Sequence, residues 1–249
     1  MYKKRVYVTG ASGALGSEIC IALLSRIDLE VVALHRDENN TYIDDLRLRN
    51  QEENKVPKFL IHCGWDTRVR TLDAQSNSMS ETLKIAQYCR EHEIKMIFIS
   101  SQSAVLGTQS NYGAMKFAAE KLVAEHDGMS LRPGLILFDP LAGVQKKLCA
   151  LSLYGIRIKL YPNVKMTVIT VRDLIQFLMS IVDEGALRKS QAEVGNELVS
   201  INSLTNSSRH RFYVVIPIPL KLLHSVVRFV GLIRGRVLAI DDSLSAILP

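Results

Sequence analysis

The sequence predicts an α/β fold: a doubly wound parallel sheet followed by a small C-terminal substrate lobe. Three observations carry this expectation. Apolar strand patterns alternate with amphipathic helix patterns through the first half of the chain, as they do where helices cover both faces of a parallel sheet. The run Val8-Thr9-Gly10-Ala11-Ser12-Gly13-Ala14-Leu15-Gly16 joins the first strand to the first helix. The length of 249 residues, 47% of them hydrophobic and 22% charged, suits one such unit with an added lobe and a full core.

Each element has its own signal. Arg5 to Val8 is a short apolar strand, and helical spacing begins directly after the glycine run, with Leu15, Ile19, Ala22 and Leu23 on one face. Glu30 to Leu34 is a second strand, Tyr42 to Leu46 a short third and Phe59 to Cys63 a fourth. Ser80 to Glu93 reads as a helix with Met79, Leu83 and Ala86 facing inward, and Lys95 to Ser100 as a strongly apolar fifth strand. Ala114 to Glu125 is a helix with Met115, Ala118 and Leu122 on its inner side. Met129 to Arg132 is a sixth strand, ended by Pro133-Gly134.

Near Gly134 the alternation loosens, which divides a core over residues 1–134 from a lobe over residues 135–249 that interleaves with the end of the sheet. In the lobe, Leu141 to Tyr154 reads as a helix. So does Arg172 to Val182, with Val171, Leu174, Ile175, Leu178 and Val182 inward, before a polar, turn-rich stretch from Gly185 to Ser208. Phe212 to Ile240 is apolar but interrupted by Pro217, Pro219, Lys221, His224, Arg228, Arg234 and Arg236, which excludes a comfortable membrane span. There Leu220, Leu223, Val227 and Val230 form one face of a basic amphipathic helix. Such a helix closes the substrate lobe or makes peripheral contact with an anionic membrane surface.

Composition narrows the function classes. The formal charge of +6 fits a phosphate-bearing ligand, but no basic stripe with interleaved aromatics supports nucleic acid as a partner. Cys20, Cys63, Cys89 and Cys149 lack metal-ligand spacing and read as reduced thiols, so no metal is expected. The first strand starts almost at once and leaves no room for a signal peptide, so the expected location is cytoplasmic.

Two groups of residues carry chemistry. The glycine run sits between strand and helix, where glycine permits the tight turn and the helix start offers free N–H groups to a pyrophosphate. Tyr112 and Lys116 are spaced i, i+4 on one helix face, after the strand-end cluster Ser100-Ser101-Gln102-Ser103. An ammonium beside a phenol favours the phenolate, which can then trade protons with a hydroxyl or carbonyl near neutral pH. A strand-end serine can hydrogen-bond the same oxygen.

These motifs together resemble the short-chain dehydrogenase/reductase superfamily, and most closely its extended branch, the epimerase/dehydratase family. The resemblance rests on Thr9-Gly10-x-x-Gly13-x-x-Gly16, Ile61-His62-Cys63-Gly64-Trp65, Phe98-Ile99-Ser100-Ser101, Tyr112-x-x-x-Lys116, Leu131-Arg132-Pro133-Gly134 and Val171-Arg172-Asp173-Leu174. It implies a Rossmann fold. It further implies that Ser101, with Ser103 as the alternative register, Tyr112, Lys116 and Asn77 are catalytic, Asn77 matching the asparagine that opens the helix before the fifth strand. Thr9, Gly10, Ser12, Gly13, Ala14, Leu15, Gly16, Arg36, Asp45, Leu46, Cys63, Gly64, Trp65, Tyr112, Lys116, Pro133 and Gly134 would bind the cofactor. Asp45 and Leu46 would border the adenine, His62 to Trp65 would line the nicotinamide side of the cleft, and Lys116 would bind the nicotinamide ribose.

Two local features refine what the resemblance implies. Dehydratases of the family carry an acidic pair after the strand-end serine or threonine, whereas Gln102 and Ser103 offer no carboxylate for water elimination. At the end of the second strand stands Leu34-His35-Arg36, where an acid would bond both ribose hydroxyls; the arginine favours NADP, with NAD the alternative. The expected protein is therefore an NAD(P)-dependent oxidoreductase or epimerase acting on a diphosphate-linked sugar, carried on a nucleotide or a lipid. The expectation allows for a homodimer. Arg172, Lys146, Lys147 and Lys159 are candidate diphosphate ligands. The alternatives are a carbonyl reductase of a non-sugar substrate and a nucleotide-binding module without turnover.

Overall fold

A computed structural model describes residues 3–36, 41–53, 56–67, 71–140, 156–161, 163, 165–187, 190–195, 197–204, 214–219 and 222 of the chain. Strands β1 (Lys4–Thr9), β2 (Leu29–Leu34), β3 (Phe59–His62), β4 (Lys95–Ile99) and β5 (Met129–Pro133) alternate with helices α1 (Ala14–Leu24), α2 (Ile43–Glu53), α3 (Leu72–Glu91) and α4 (Asn111–Glu125). The chain then makes β6 (Leu135–Leu137), β7 (Ile156–Tyr161), β8 (Lys165–Thr170) and α5 (Val171–Glu184), and returns to the main sheet as β9 (Gln191–Val194). β10 (Glu197–Ser200), α6 (Ile201–Leu204) and β11 (Val214–Pro219) follow.

The main sheet has six strands, all parallel, in the order β2-β1-β3-β4-β5-β9. Val6 of β1 pairs with Val31 on one side and Phe59 on the other, so the chain order reverses at β1. Ligands of open parallel sheets bind at such a switch point, beyond the strand ends. β10-β8-β6 and β11-β7 form two smaller sheets.

Strand alternation sorts the core into two layers. Val6, Val8, Phe59 and Ile61 pack with Ile19 and Leu23 of α1 and Leu174, Leu178 and Val182 of α5. Tyr7, Leu60, Met96 and Phe98 face the other way, against Ile85 and Ala86 of α3 and Ala119 and Val123 of α4.

Three expectations are corrected. Tyr42 to Leu46 is not a strand: it leads into and begins α2, because Tyr42, Ile43 and Leu46 recur at helical spacing and are buried together. α3 begins at Leu72 rather than near Ser80, so Asn77 lies inside it and is exposed. The buried stripe of α4 is Lys116, Ala119, Glu120 and Val123, while Met115, Ala118 and Leu122 are half-buried. The inner face carries two charged residues whose partners are supplied elsewhere, as described below. The helix expected over Leu141 to Tyr154, Lys146 and Lys147 within it, and the amphipathic helix from Leu220 lie outside the described residues, apart from Leu222. Among the described residues no helix is long and apolar enough to cross a membrane.

Candidate cofactor and active site

One backbone requirement shapes the turn after β1. Gly10 has φ +69°, and a Cβ there would fall 2.8 Å from the Cys63 carbonyl carbon. Glycine tolerates both that dihedral and that approach. The Gly13 amide closes the turn by donating to the Gly10 carbonyl at 2.9 Å, and α1 starts at Ala14 with no side chain capping it. Ala14, Leu15 and Gly16 form the first turn, whose amides have no intrahelical acceptor and carry the partial positive charge that receives a phosphate.

A cleft of about 530 Å³ opens at this point, lined by residues 10–13 of the turn, 34–36 after β2, Tyr42, and 63–67 after β3. Tyr42, His35, Asp66 and Thr67 in this lining are additions to the sequence reading. Tyr42 comes in because Gly64 leaves room: a Cβ on Gly64 would fall 2.3 Å from the Tyr42 ring. The Arg36 guanidinium lies over that ring, 5.1 Å from its centroid, and so is held at the cleft wall.

The wall is braced by carboxylates. Glu81, buried on α3, accepts from the amides of Tyr42 and Ile43 at 2.6 and 3.1 Å, across the start of α2. Asp45 accepts from the His35 amide at 2.8 Å and from Arg49 at 3.2 Å. Leu46 is fully buried in the core, and neither Asp45 nor Leu46 is among the residues lining the cleft.

A buried relay fixes the floor. The Gly64 amide donates to Thr9 Oγ1 at 3.1 Å, which lies 2.7 Å from His62 Nδ1; His62 Nε2 lies 3.0 Å from Thr82 Oγ1, which donates to the Ser78 carbonyl at 2.8 Å. Burial first, and then the charges of Lys116 and Arg36, push the His62 pKa down to about 3, so the ring is neutral. Burial likewise pushes the Cys63 thiol up to about 12, opposed by Lys116, so it is not a thiolate.

The serine loop after β4 packs against the start of α4, the helix that carries Tyr112 and Lys116. Ser110 caps the helix by accepting from the Gly113 amide at 3.0 Å, and Tyr112 and Lys116 fall in the first two turns. A Cβ on Gly113 would fall 2.3 Å from the Ser103 carbonyl oxygen, so only glycine lets α4 sit this close to the serine loop. Ser101 Oγ and Ser103 Oγ are 3.0 Å apart. Lys116 is buried: its Nζ donates to the Ile99 carbonyl and lies 4.4 Å from the Trp65 ring centroid, 4.3 Å from Phe98 and 5.7 Å from Tyr112. Glu120, the other charged residue on the inner face of α4, pairs with Arg132 of β5 at 2.6 Å. The Pro133 carbonyl accepts from the Gln102 amide at 3.3 Å, and the Gly134 amide donates to Val194 at 2.9 Å. Asn77 on α3, Lys159 on β7 and Arg172 on α5 are exposed.

An uncapped helix start behind a glycine turn, at the switch point of a parallel sheet, defines an α/β protein of the Rossmann type. Comparison with known proteins narrows the class. Residues 4–127 match the family model described as RmlD substrate binding domain.

Among solved structures, dTDP-4-dehydrorhamnose reductase from Bacillus anthracis str. Ames, in complex with NADP, superposes with a TM-score of 0.71 at 18% identity, covering 96% of this chain and 89% of that one. UDP-glucuronic acid 4-epimerase from Bacillus cereus, in complex with UDP-glucuronic acid and NAD, gives 0.66 at 17% identity over 86% of each chain. L-threonine 3-dehydrogenase from Trypanosoma brucei gives 0.67 at 16% identity, covering 88% of this chain and 84% of that one. No curated protein sequence matches. Over residues 4–127, just under half of the chain, the protein is similar to the RmlD family, and the superpositions show that it shares the fold of these enzymes.

Proposed function

We propose that this protein is an NAD(P)-dependent oxidoreductase or epimerase of a diphosphate-linked sugar, with NADP the preferred cofactor. The observation that carries the reading is the cleft at the open start of α1, with the Gly10 turn as its cradle and Arg36 on its wall. These residues fit a dinucleotide: the α1 amides would receive the pyrophosphate, and the Arg36 fork suits a 2′-phosphate. When bound, the cofactor supplies the hydride chemistry.

The chain supplies the rest. Tyr112 moves the hydroxyl proton of the reacting carbon, and the ammonium of Lys116, 5.7 Å from the centre of its ring, favours the phenolate. Ser101, with Ser103 beside it, hydrogen-bonds the same substrate oxygen. Gln102 and Ser103 hold no carboxylate, so the reaction is ketone reduction or epimerisation and not dehydration. Arg172 and Lys159, together with Lys146 and Lys147, are the cations offered to the diphosphate of a nucleotide or lipid carrier. The reduced-thiol reading of the cysteines supports a cytoplasmic location.

The RmlD family match and the NADP-bound reductase from Bacillus anthracis support the sugar reading. A second reading, a carbonyl reductase of a non-sugar substrate, is favoured by the superposition of L-threonine 3-dehydrogenase, whose TM-score of 0.67 is close to the 0.71 of the reductase. The experiment is a panel of keto-sugar nucleotides and simple carbonyl compounds with NADPH, followed at 340 nm and by mass spectrometry. Reduced or epimerised sugar is expected. Loss of 18 mass units from a nucleotide-hexose overturns the reaction class, and turnover confined to uncharged carbonyls establishes the second reading.

A further inference from the structure

Trp65 is the only tryptophan in the chain, and it belongs to both halves of the site. On one side it lines the cleft with the glycine turn and Arg36. On the other its ring covers the Lys116 ammonium at 4.4 Å, with Phe98 on that ammonium at 4.3 Å and the Tyr112 ring edge-on to the indole at 6.4 Å. Tyr112 and Lys116 are not among the residues lining this cleft. The indole is also latched: its N–H donates to Gln75 Oε1 at 2.7 Å, and Gln75 Nε2 donates to the Asp66 carbonyl at 3.0 Å. Gln75 is fully buried and Trp65 nearly so.

We propose that Trp65 is a gate between the two halves of the cofactor site. At rest the cleft takes the adenosine-diphosphate half of the dinucleotide, and the nicotinamide ribose reaches Lys116 only when the indole swings off it. The inference rests on the dinucleotide reading given above. The Lys116 ammonium is a donor wedged between two aromatic faces, so a ribose hydroxyl at hydrogen-bond distance needs the volume the indole fills. Opening breaks the indole hydrogen bond and one cation–π contact. Each shifts the equilibrium by about fivefold, so a ligand that replaces them at Lys116 can drive the change.

A single tryptophan gives a single indole N–H resonance, which reads the latch directly. The full chain, labelled with ¹⁵N, is titrated with NADP⁺ and, separately, with 2′-phospho-ADP, the adenosine-diphosphate half of the same molecule without the nicotinamide and its ribose. Calorimetry gives both affinities. The expected result is slow indole N–H exchange in the free protein and with the fragment, and a displaced peak exchanging at least about tenfold faster with NADP⁺, as the buried hydrogen bond is broken. Gln75→Leu, which removes the acceptor, should tighten NADP⁺ about fivefold and leave the fragment's affinity unchanged.

The spectrum of the unsubstituted chain stands even where a variant fails to fold. If both ligands bind and the indole resonance stays protected with both, or opens equally with both, the gate is wrong and the dinucleotide reading survives. If neither ligand binds, the dinucleotide reading fails and the gate with it.

Discussion

Thr9 Oγ1 and His62 Nδ1, 2.7 Å apart, are joined by a hydrogen bond whose direction the surroundings decide. Thr82 gives its proton to the Ser78 carbonyl, so it accepts from His62 Nε2–H. The neutral ring then has a bare Nδ1, which accepts from the Thr9 hydroxyl, whose oxygen accepts from Gly64. Protons run one way from Gly64 to Ser78, and the floor of the cleft is tied to α3.

That order sets a pH dependence of stability. His62 has a native pKa near 3 against an ordinary value of 6.5, so below pH 6.5 the unfolded chain takes up a proton that the native chain refuses. Its contribution to stability is complete above 6.5 and is lost as pH falls toward 3, at up to about 1.4 kcal/mol per pH unit. Urea midpoints measured at pH 7, 5.5 and 4.5 should show this slope, and His62→Gln should flatten it. An unchanged slope in the variant would show that other groups set the acid limit.

Tyr112→Phe should lower turnover by about 10²- to 10⁴-fold while NADP(H) still binds, because in the proposed mechanism the phenol moves the proton and the cleft holds the cofactor. Steady-state rates with a calorimetric titration check it. Near-normal turnover sinks the assignment.

Arg36→Ala should weaken NADPH by about 1.5–3 kcal/mol and leave NADH nearly unchanged, since only NADPH brings a phosphate to this guanidinium. Equal losses for both cofactors would make Arg36 a brace for Tyr42 instead.

Gly113→Ala opposes two effects. Alanine is worth about 1 kcal/mol more than glycine inside a helix, but its Cβ would meet the Ser103 carbonyl oxygen at 2.3 Å, a strain of about 1–3 kcal/mol. Relief requires α4 to move away from the serine loop. The expected outcome is a modest fall in Tm with a large fall in kcat and an unchanged cofactor affinity. Retained kcat would show that the spacing between Tyr112 and the serines is not critical.

Apolar pattern and glycine spacing made the five strands from Arg5 to Pro133 and the glycine turn after β1 legible in the sequence, because burial on both sheet faces leaves continuous apolar runs there. The early start of α3 was hidden because its inner face is polar: Gln75, Ser78, Glu81 and Thr82 are buried to hold Trp65, the relay and α2. The same holds for α4, whose inner face includes Lys116 and Glu120, charges that look like solvent-facing residues until Phe98, Trp65 and Arg132 are brought to them. The place of Tyr42 in the site had no signal in its spacing, since it depends on Gly64 and on a carboxylate thirty-nine positions away.

The return of the chain to the main sheet at β9 bears on how this protein could be dissected. Among the described residues, residues 130–133 of β5 find their outer strand partner in residues 191–194, and Glu193 approaches the Arg132 guanidinium at 3.7 Å. A fragment cut after Gly134 would leave β5 as a bare edge with unanswered amides and carbonyls, a template for pairing with another copy. The cut that looks natural in the sequence therefore severs a folding unit. Nucleotide-binding half and distal lobe should be expressed, swapped or recombined as one inseparable module.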